Sequence, residues 1–205
     1  MRRALRLMLL LIITVGVATP AVAQGPWSVF VGAGAAGFGG GADALDPPPG
    51  EPTQYKPTPT TRLHAGLARE IGRGAITFDA AYARSGLGGY GGSINVAFSP
   101  TLTLYDLRLL GSYSIARLGD GSVRVGVGPM LQLWSGDAVS STQTRLGGAA
   151  SLTVQVPMSR SIGLLVSGSL GVSSSPFDQR TLDNLGLEAL TTWTRELGVG
   201  VRLSL

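Results

Sequence analysis

From Trp27 to the last residue, apolar positions alternate with small or polar ones at a period of two. That is the signature of strands whose two faces meet different surroundings. The stretch 122–133 is the clearest: Val123, Val125, Val127, Pro129, Leu131 and Leu133 alternate with Ser122, Arg124, Gly126, Gly128, Met130 and Gln132. In the first segment Trp27, Val29, Val31, Ala33 and Ala35 share one face, and Phe30 takes the other. The same rule predicts eight strands, over 26–38, 61–72, 75–85, 101–116, 122–134, 144–156, 161–173 and 191–205. Most exceed the usual globular strand of about 5–6 residues and reach the roughly 9–11 that a tilted strand needs to cross a bilayer.

The links between these strands alternate in length. Gly72-Arg73-Gly74, Leu118-Gly119-Asp120-Gly121 and Pro157 to Arg160 are short turns. Gly39 to Thr60, Ser85 to Pro100, Ser135 to Gln143 and Ser174 to Leu190 are longer. An even number of strands with short turns at one end and long loops at the other is the pattern of outer-membrane barrels, and it puts both termini in the periplasm. The expected fold is therefore all-β: an eight-stranded antiparallel up-and-down transmembrane β-barrel. The first long loop carries Pro47 to Pro49, Pro52, Pro57 and Pro59, which predicts an extended, poorly ordered segment.

Parity then sorts the charges. The inward positions receive Arg62, His64, Glu70, Asp79, Asp106, Arg108, Arg124, Arg145, Glu196 and Arg202, five arginines against four carboxylates. Such a set is affordable inside a narrow lumen only as a paired, hydrogen-bonded network. Arg69, Arg84, Arg117 and Arg195 fall on the outward parity near strand ends, where a guanidinium can reach the headgroups while its stem stays apolar. The outward set also holds Trp27, Phe78, Tyr82, Tyr105, Tyr113 and Trp193; Trp27, Tyr82, Tyr105, Tyr113 and Trp193 are the candidate interfacial girdle. A soluble sandwich or soluble periplasmic barrel is the rival, because soluble antiparallel sheets alternate too.

The N-terminus supplies the compartment. Arg2, Arg3 and Arg6 precede an apolar run from Met8 to Val17, and Ala21-Val22-Ala23 follows as a small-residue cleavage site. This reads as a secretory signal peptide over 1–23, too short and too soon broken by Thr19 and Pro20 for a membrane-spanning helix. The mature domain is then 24–205. Taking the three signal arginines from the 16 Lys+Arg leaves 13 against 12 Asp+Glu, so the high sequence pI gives no footprint for nucleic acid. Cysteine is absent, which excludes disulfides, thiolate metal sites and a lipid-modified Cys.

On these features the chain resembles the small outer-membrane barrels of the OmpA-transmembrane-domain and OmpX type, over all of 27–205. The C-terminal strand carries the resemblance furthest: Leu197, Val199, Val201, Leu203 and Leu205 alternate to the end. In such families that strand is read by the barrel-assembly machinery; the family usually ends in Phe, where this chain has Leu205. Because the sequence stops with this strand, the barrel is expected to be the whole mature protein, without the periplasmic domain of the larger OmpA proteins; the resemblance implies outer-membrane lipid and that machinery as partners.

Candidate chemistry is sparse. Gly32-Ala33-Gly34-Ala35-Ala36-Gly37 spells a dinucleotide-binding fingerprint, but no helix opens after it, and small residues on a tightly curved strand explain it better. His64 is the only histidine, so any His-dependent acid–base chemistry must use it. Ala65 and Gly66 follow it, so the His-x-Ser pairing expected of a lipid-modifying barrel enzyme is missing. Glu70, Asp79, Asp106 and Glu196 fit a salt-bridge network better than a catalytic pair. No metal or cofactor is implied.

The expected function is a non-enzymatic, monomeric integral barrel with a side-chain-filled interior, serving the envelope structurally or presenting its loops to an unspecified partner. A lipid-modifying enzyme using His64 and a narrow conduit for small or apolar molecules are the alternatives.

Overall fold

The computed structural model describes residues 26–91, 96–136 and 141–205; the signal peptide expected over 1–23 lies outside them. In chain order the elements are β1 (Trp27–Gly39), β2 (Ala42–Ala44), β3 (Gln54–Pro57), β4 (Thr60–Ile71), β5 (Gly74–Tyr90), β6 (Val96–Leu118), β7 (Gly121–Gly136), β8 (Gln143–Pro157), β9 (Ile162–Ser173), α1 (Gln179–Leu185), β10 (Leu187–Ala189) and β11 (Thr192–Ser204). The eight long strands pair antiparallel in a ring, β1-β4-β5-β6-β7-β8-β9-β11. β1 closes it on β11, from Ser28↔Ser204 to Gly39↔Trp193. A closed ring leaves no unpaired edge, the condition for strands to stand in lipid.

The ring is inside out relative to a soluble domain. Val127, Leu146, Leu170, Leu197 and Val199 are each more than half exposed on the outer wall, while Arg62, Asp106 and Gln132 are almost fully buried within. An apolar surface this continuous is unstable in water and suited to hydrocarbon, which disposes of the soluble alternatives. Trp27 and Tyr113 stand exposed at the end with the short turns, and Trp193 at the loop end. Tyr82 is half-buried and packs against Tyr105 across the strand pair, ring centroids 5.3 Å apart.

The loop end departs from expectation. Gly39 to Thr60 is not simply extended: β3 adds to β5 from Gln54↔Tyr90 to Pro57↔Leu87, and β2 joins β3 to β10. The prolines are compatible because Pro57 ends its short strand, where a missing donor costs least. Most of the link predicted over 85–100 is strand as well, since β5 and β6 run on to Tyr90 and from Val96. Those extensions supply the edge that β3 uses. The fourth long link folds into α1 and β10.

One wall position is also reversed. A register shift between Ser114 and Ala116 puts Ile115 into a bulge, so Arg117 pairs with Ser122, a lumen-side position of β7. One inserted residue exchanges the faces of all that follow, and Arg117 therefore leaves the outward set.

At the loop end the lumen is stoppered by an apolar cluster. Phe38, Leu102, Leu104 and Trp134 of the wall bury Ala42, Phe177, Leu182 and Leu187 of the loops. Phe38 meets Trp134 edge to face at 5.6 Å, a favoured aromatic geometry. Trp134→Ala should cost about 3–5 kcal/mol and free the loops. The check is urea unfolding of the detergent-refolded protein together with limited proteolysis; an unchanged midpoint and an unchanged cleavage pattern would contradict this packing.

Candidate functional site: the charged lumen

Below the apolar stopper, four charges meet in the middle of the barrel. Arg62 on β4, Asp106 and Arg108 on β6 and Glu196 on β11 come together because strand parity aims each inward at similar height. Arg62 Nη2 lies 2.9 Å from Asp106 Oδ2 and its Nη1 3.1 Å from Glu196 Oε2. Arg108 Nε donates to Asp106 Oδ1 at 3.2 Å, and its Nη2 lies 3.7 Å from Glu196 Oε2. Each arginine thus touches both carboxylates, and the square is neutral. Its members are all but removed from solvent, with exposures of 1% for Arg62, 0% for Asp106 and 3% for Arg108. In so dry a setting an unmatched charge would be severely penalised.

Neutral side chains complete the square and tie it to the stopper. Gln132 Nε2 donates to Asp106 Oδ2 at 3.4 Å, while its Oε1 accepts from Trp134 Nε1 at 3.2 Å and from Ser173 Oγ at 2.9 Å. Ser169 Oγ accepts from Arg108 Nη1 at 2.9 Å and donates to Glu196 Oε2 at 3.3 Å. Gln132 and Ser169 were legible through the same parity that found the charges.

A second cluster sits toward the turn end. Glu70 accepts from Arg124 Nη2 at 2.5 Å and from Arg202 Nη2 at 2.8 Å, and Arg202 also donates to Gln155 Oε1. Between the clusters is a cavity of about 110 Å³ whose lining includes Thr77, Ser112, Ser151, Thr153 and Ser167. That is polar and roomy enough for a few waters.

The expected ten inward residues therefore do not form one network. Arg62, Asp106, Arg108 and Glu196 join; Glu70, Arg124 and Arg202 join separately. Arg145 turns to loop carbonyls instead: its Nε donates to Ser175 O at 2.6 Å and its Nη2 to Phe177 O at 2.8 Å. It holds the fourth loop over the stopper, because it lies at the loop end of β8, where loop carbonyls are its neighbours.

His64 and Asp79 form a loose pair, Nδ1 to Oδ1 3.7 Å, beyond hydrogen-bond reach. His64 Nε2 is buried without a hydrogen-bond partner and abuts Gly32, where an added Cβ would lie 2.2 Å from it. Glu196 Oε1 crowds Gly34 likewise, 2.9 Å from the Cβ that position would carry. The glycine fingerprint of β1 thus makes room for lumen side chains, on a strand that opens no helix. No hydroxyl is hydrogen-bonded to His64 among the described residues, so no nucleophile–base pair is assembled there.

No protein-family model matches the chain, and neither does any curated protein. Solved structures do. Neisserial surface protein A is 16% identical with a TM-score of 0.57, covering 88% of this chain and 97% of that one. OprG, an outer membrane protein of Pseudomonas aeruginosa, is 11% identical with a TM-score of 0.56, covering 89% and 98%. The chain has the fold of the small outer-membrane β-barrels. At these identities the likeness reaches the architecture, and the lumen described above has to be read from its own residues.

Asp106→Ala should cost about 3–5 kcal/mol, because it strands two buried guanidinium groups on one carboxylate. Asp46→Ala, in the exposed part of the first loop, should stay within about 0.5 kcal/mol of the wild type. Denaturant titration in micelles, read by the band shift between boiled and unboiled samples, compares them; equal losses would refute the central role of the square.

Proposed function

We propose that the protein is a non-conducting, non-enzymatic integral barrel of the outer membrane that holds a folded loop end toward the cell exterior as an interaction surface. On this reading a cleaved signal peptide exports it, and both termini lie in the periplasm. The observation that carries the proposal is the stopper: Phe177, Leu182 and Leu187 from the fourth link are buried against Phe38 and Trp134 of the wall. Loops that only covered a pore would have no need of a shared core with it. These are pinned further by Arg145 and by Ser175 Oγ, which donates to Gly41 O at 2.7 Å and so ties the fourth link to the first. A rigid surface loses little conformational entropy on meeting a partner.

The conduit alternative is opposed by two serial closures, the apolar stopper and the dry charge square, in a ring whose width already suits side-chain filling. The lipid-modifying alternative is opposed by the place of His64. Its ring faces the lumen, edge-on to Phe30 with centroids 6.0 Å apart, whereas a lipid substrate lies against the outer wall.

Planar-bilayer recordings of the refolded protein should show no conductance steps, and His64→Ala should leave the lipid profile of cells unchanged. Arg145→Ala should accelerate tryptic cleavage after Arg180, an exposed residue of α1, by several-fold, because local opening limits cleavage. Steady channel currents, or cleavage as slow as in the wild type, would sink the reading of a sealed barrel with a clamped loop end.

A further inference from the structure

The turn-end rim of the lumen is out of charge balance. Arg73, Arg117, Arg124 and Arg202 gather there with the carboxylates of Glu70 and Asp120. Glu70 is committed to Arg124 and Arg202, and Arg117 has no ion-pair partner among the described residues. Arg124 Nε is buried with no hydrogen-bond acceptor. A cavity of about 340 Å³ lies among these groups, lined by Arg73, Ser114, Arg117, Asp120, Ser122 and Arg124.

Two local features build this cavity. The β4–β5 turn, with Gly72 at φ +61°, is locked to β6: Ser114 N donates to Arg73 O at 2.9 Å and Arg73 Nη2 donates to Ser114 O at 3.2 Å. Arg73 is thereby fixed at the rim, with its guanidinium 5.1 Å from the centre of the Tyr113 ring. The second feature is the bulge at Ile115. Without it Arg117 would stand on the outer wall; with it the residue pairs with Ser122 on the lumen side and adds a third cation to the cavity.

We propose that this pocket binds a phosphate group, either from the headgroup of a phospholipid in the adjoining leaflet or from a free phosphate. Arg73 and Arg117, joined by an Arg124 that is shared with Glu70, face the single lining carboxylate of Asp120 with two serine hydroxyls beside them, and supply the positive charge and the forked donors that phosphate oxygens accept. The rim is at the level of headgroups, because exposed Ile71, Tyr113, Ile115 and Leu118 mark the edge of the apolar wall on the same side. Next to them Arg69 lies over Trp27 at 5.4 Å, the kind of pair that settles at a lipid interface. The lipid source rests on the membrane placement proposed above; the pocket itself does not.

The test uses the full barrel refolded in an uncharged, phosphate-free detergent at low ionic strength, with folding verified by the heat-dependent gel shift. Inorganic phosphate is titrated calorimetrically, and native mass spectrometry compares retention of dimyristoyl phosphatidylglycerol with phosphate-free dimyristoylglycerol. Arg73→Gln with Arg117→Gln should weaken binding of the phosphate-bearing probe about tenfold or more, the worth of one charge-assisted hydrogen bond. Arg160→Gln, an exposed arginine of the β8–β9 turn outside the cavity, should bind as the wild type does. Should the double variant fail to fold, Arg117→Gln alone, which breaks no ion pair among the described residues, carries the same test with a several-fold loss. Retention of phosphatidylglycerol with weak inorganic phosphate binding assigns the headgroup; phosphate binding with no preference for the phospholipid assigns the free anion. Binding of neither probe, equal binding by the folded variants, or an equal loss in Arg160→Gln would overturn the proposal.

Discussion

Everything in this barrel is arranged around the neutral square of Arg62, Asp106, Arg108 and Glu196. Closing eight strands brings their inner faces so near that side chains from opposite walls must meet, and water is nearly excluded at that level. Charges can survive there only if each finds its opposite from another strand. Asp106 and Arg108 come from β6, Arg62 from β4 and Glu196 from β11, so the square can form only when the ring is closed in the right register. A slip of one residue in any of these strands would turn its charge toward lipid and leave the others unmatched. The square therefore contributes specificity of register whatever its net contribution to stability, which desolvation keeps small or even unfavourable.

From that level the two halves of the lumen diverge. Toward the loops, Gln132 passes hydrogen bonding from Asp106 to Trp134, and the lining turns apolar at once. The strands continue past the girdle, and their extra length gives β3 an edge to join and the loops a core to share. Toward the turns, hydroxyls and glycines leave a small polar chamber, and Glu70 with its two arginines closes it only partly. The loop end is thus folded round an apolar cluster while the turn end is polar and cationic, so the two ends of one lumen differ in chemistry.

The strand count, the inward and outward faces and most of the lumen residues were legible in the sequence, because alternation with a period of two is a local property and the bilayer enforces it over long strands. What escaped depended on partners distant in sequence. Arg145 has the parity of a network member, yet its height on β8 places it among loop carbonyls, and height is set by strand stagger that alternation does not record. Arg117 was lost to a single bulged residue, Ile115, that no composition signal marks. The first loop looked unstructured because its prolines speak only against helix and central strand; the edge that orders Gln54 to Pro57 belongs to β5.

The bulge at Ile115 also shows why such an irregularity persists. On the regular register Arg117 would face hydrocarbon just inside the turn-end boundary, where a guanidinium must stretch its stem to reach water. Moving one residue out of the ladder forfeits local pairing, but it sends the charge to the polar rim of the lumen and turns Leu118 outward beside the already outward Ile115, both exposed apolar positions that suit the wall. The same step adds a third guanidinium to a cavity already lined by Arg73 and Arg124, with Asp120 as its carboxylate. Three guanidinium groups gathered round one cavity by a turn and a bulge are what separate this rim from the ordinary basic fringe of a membrane protein.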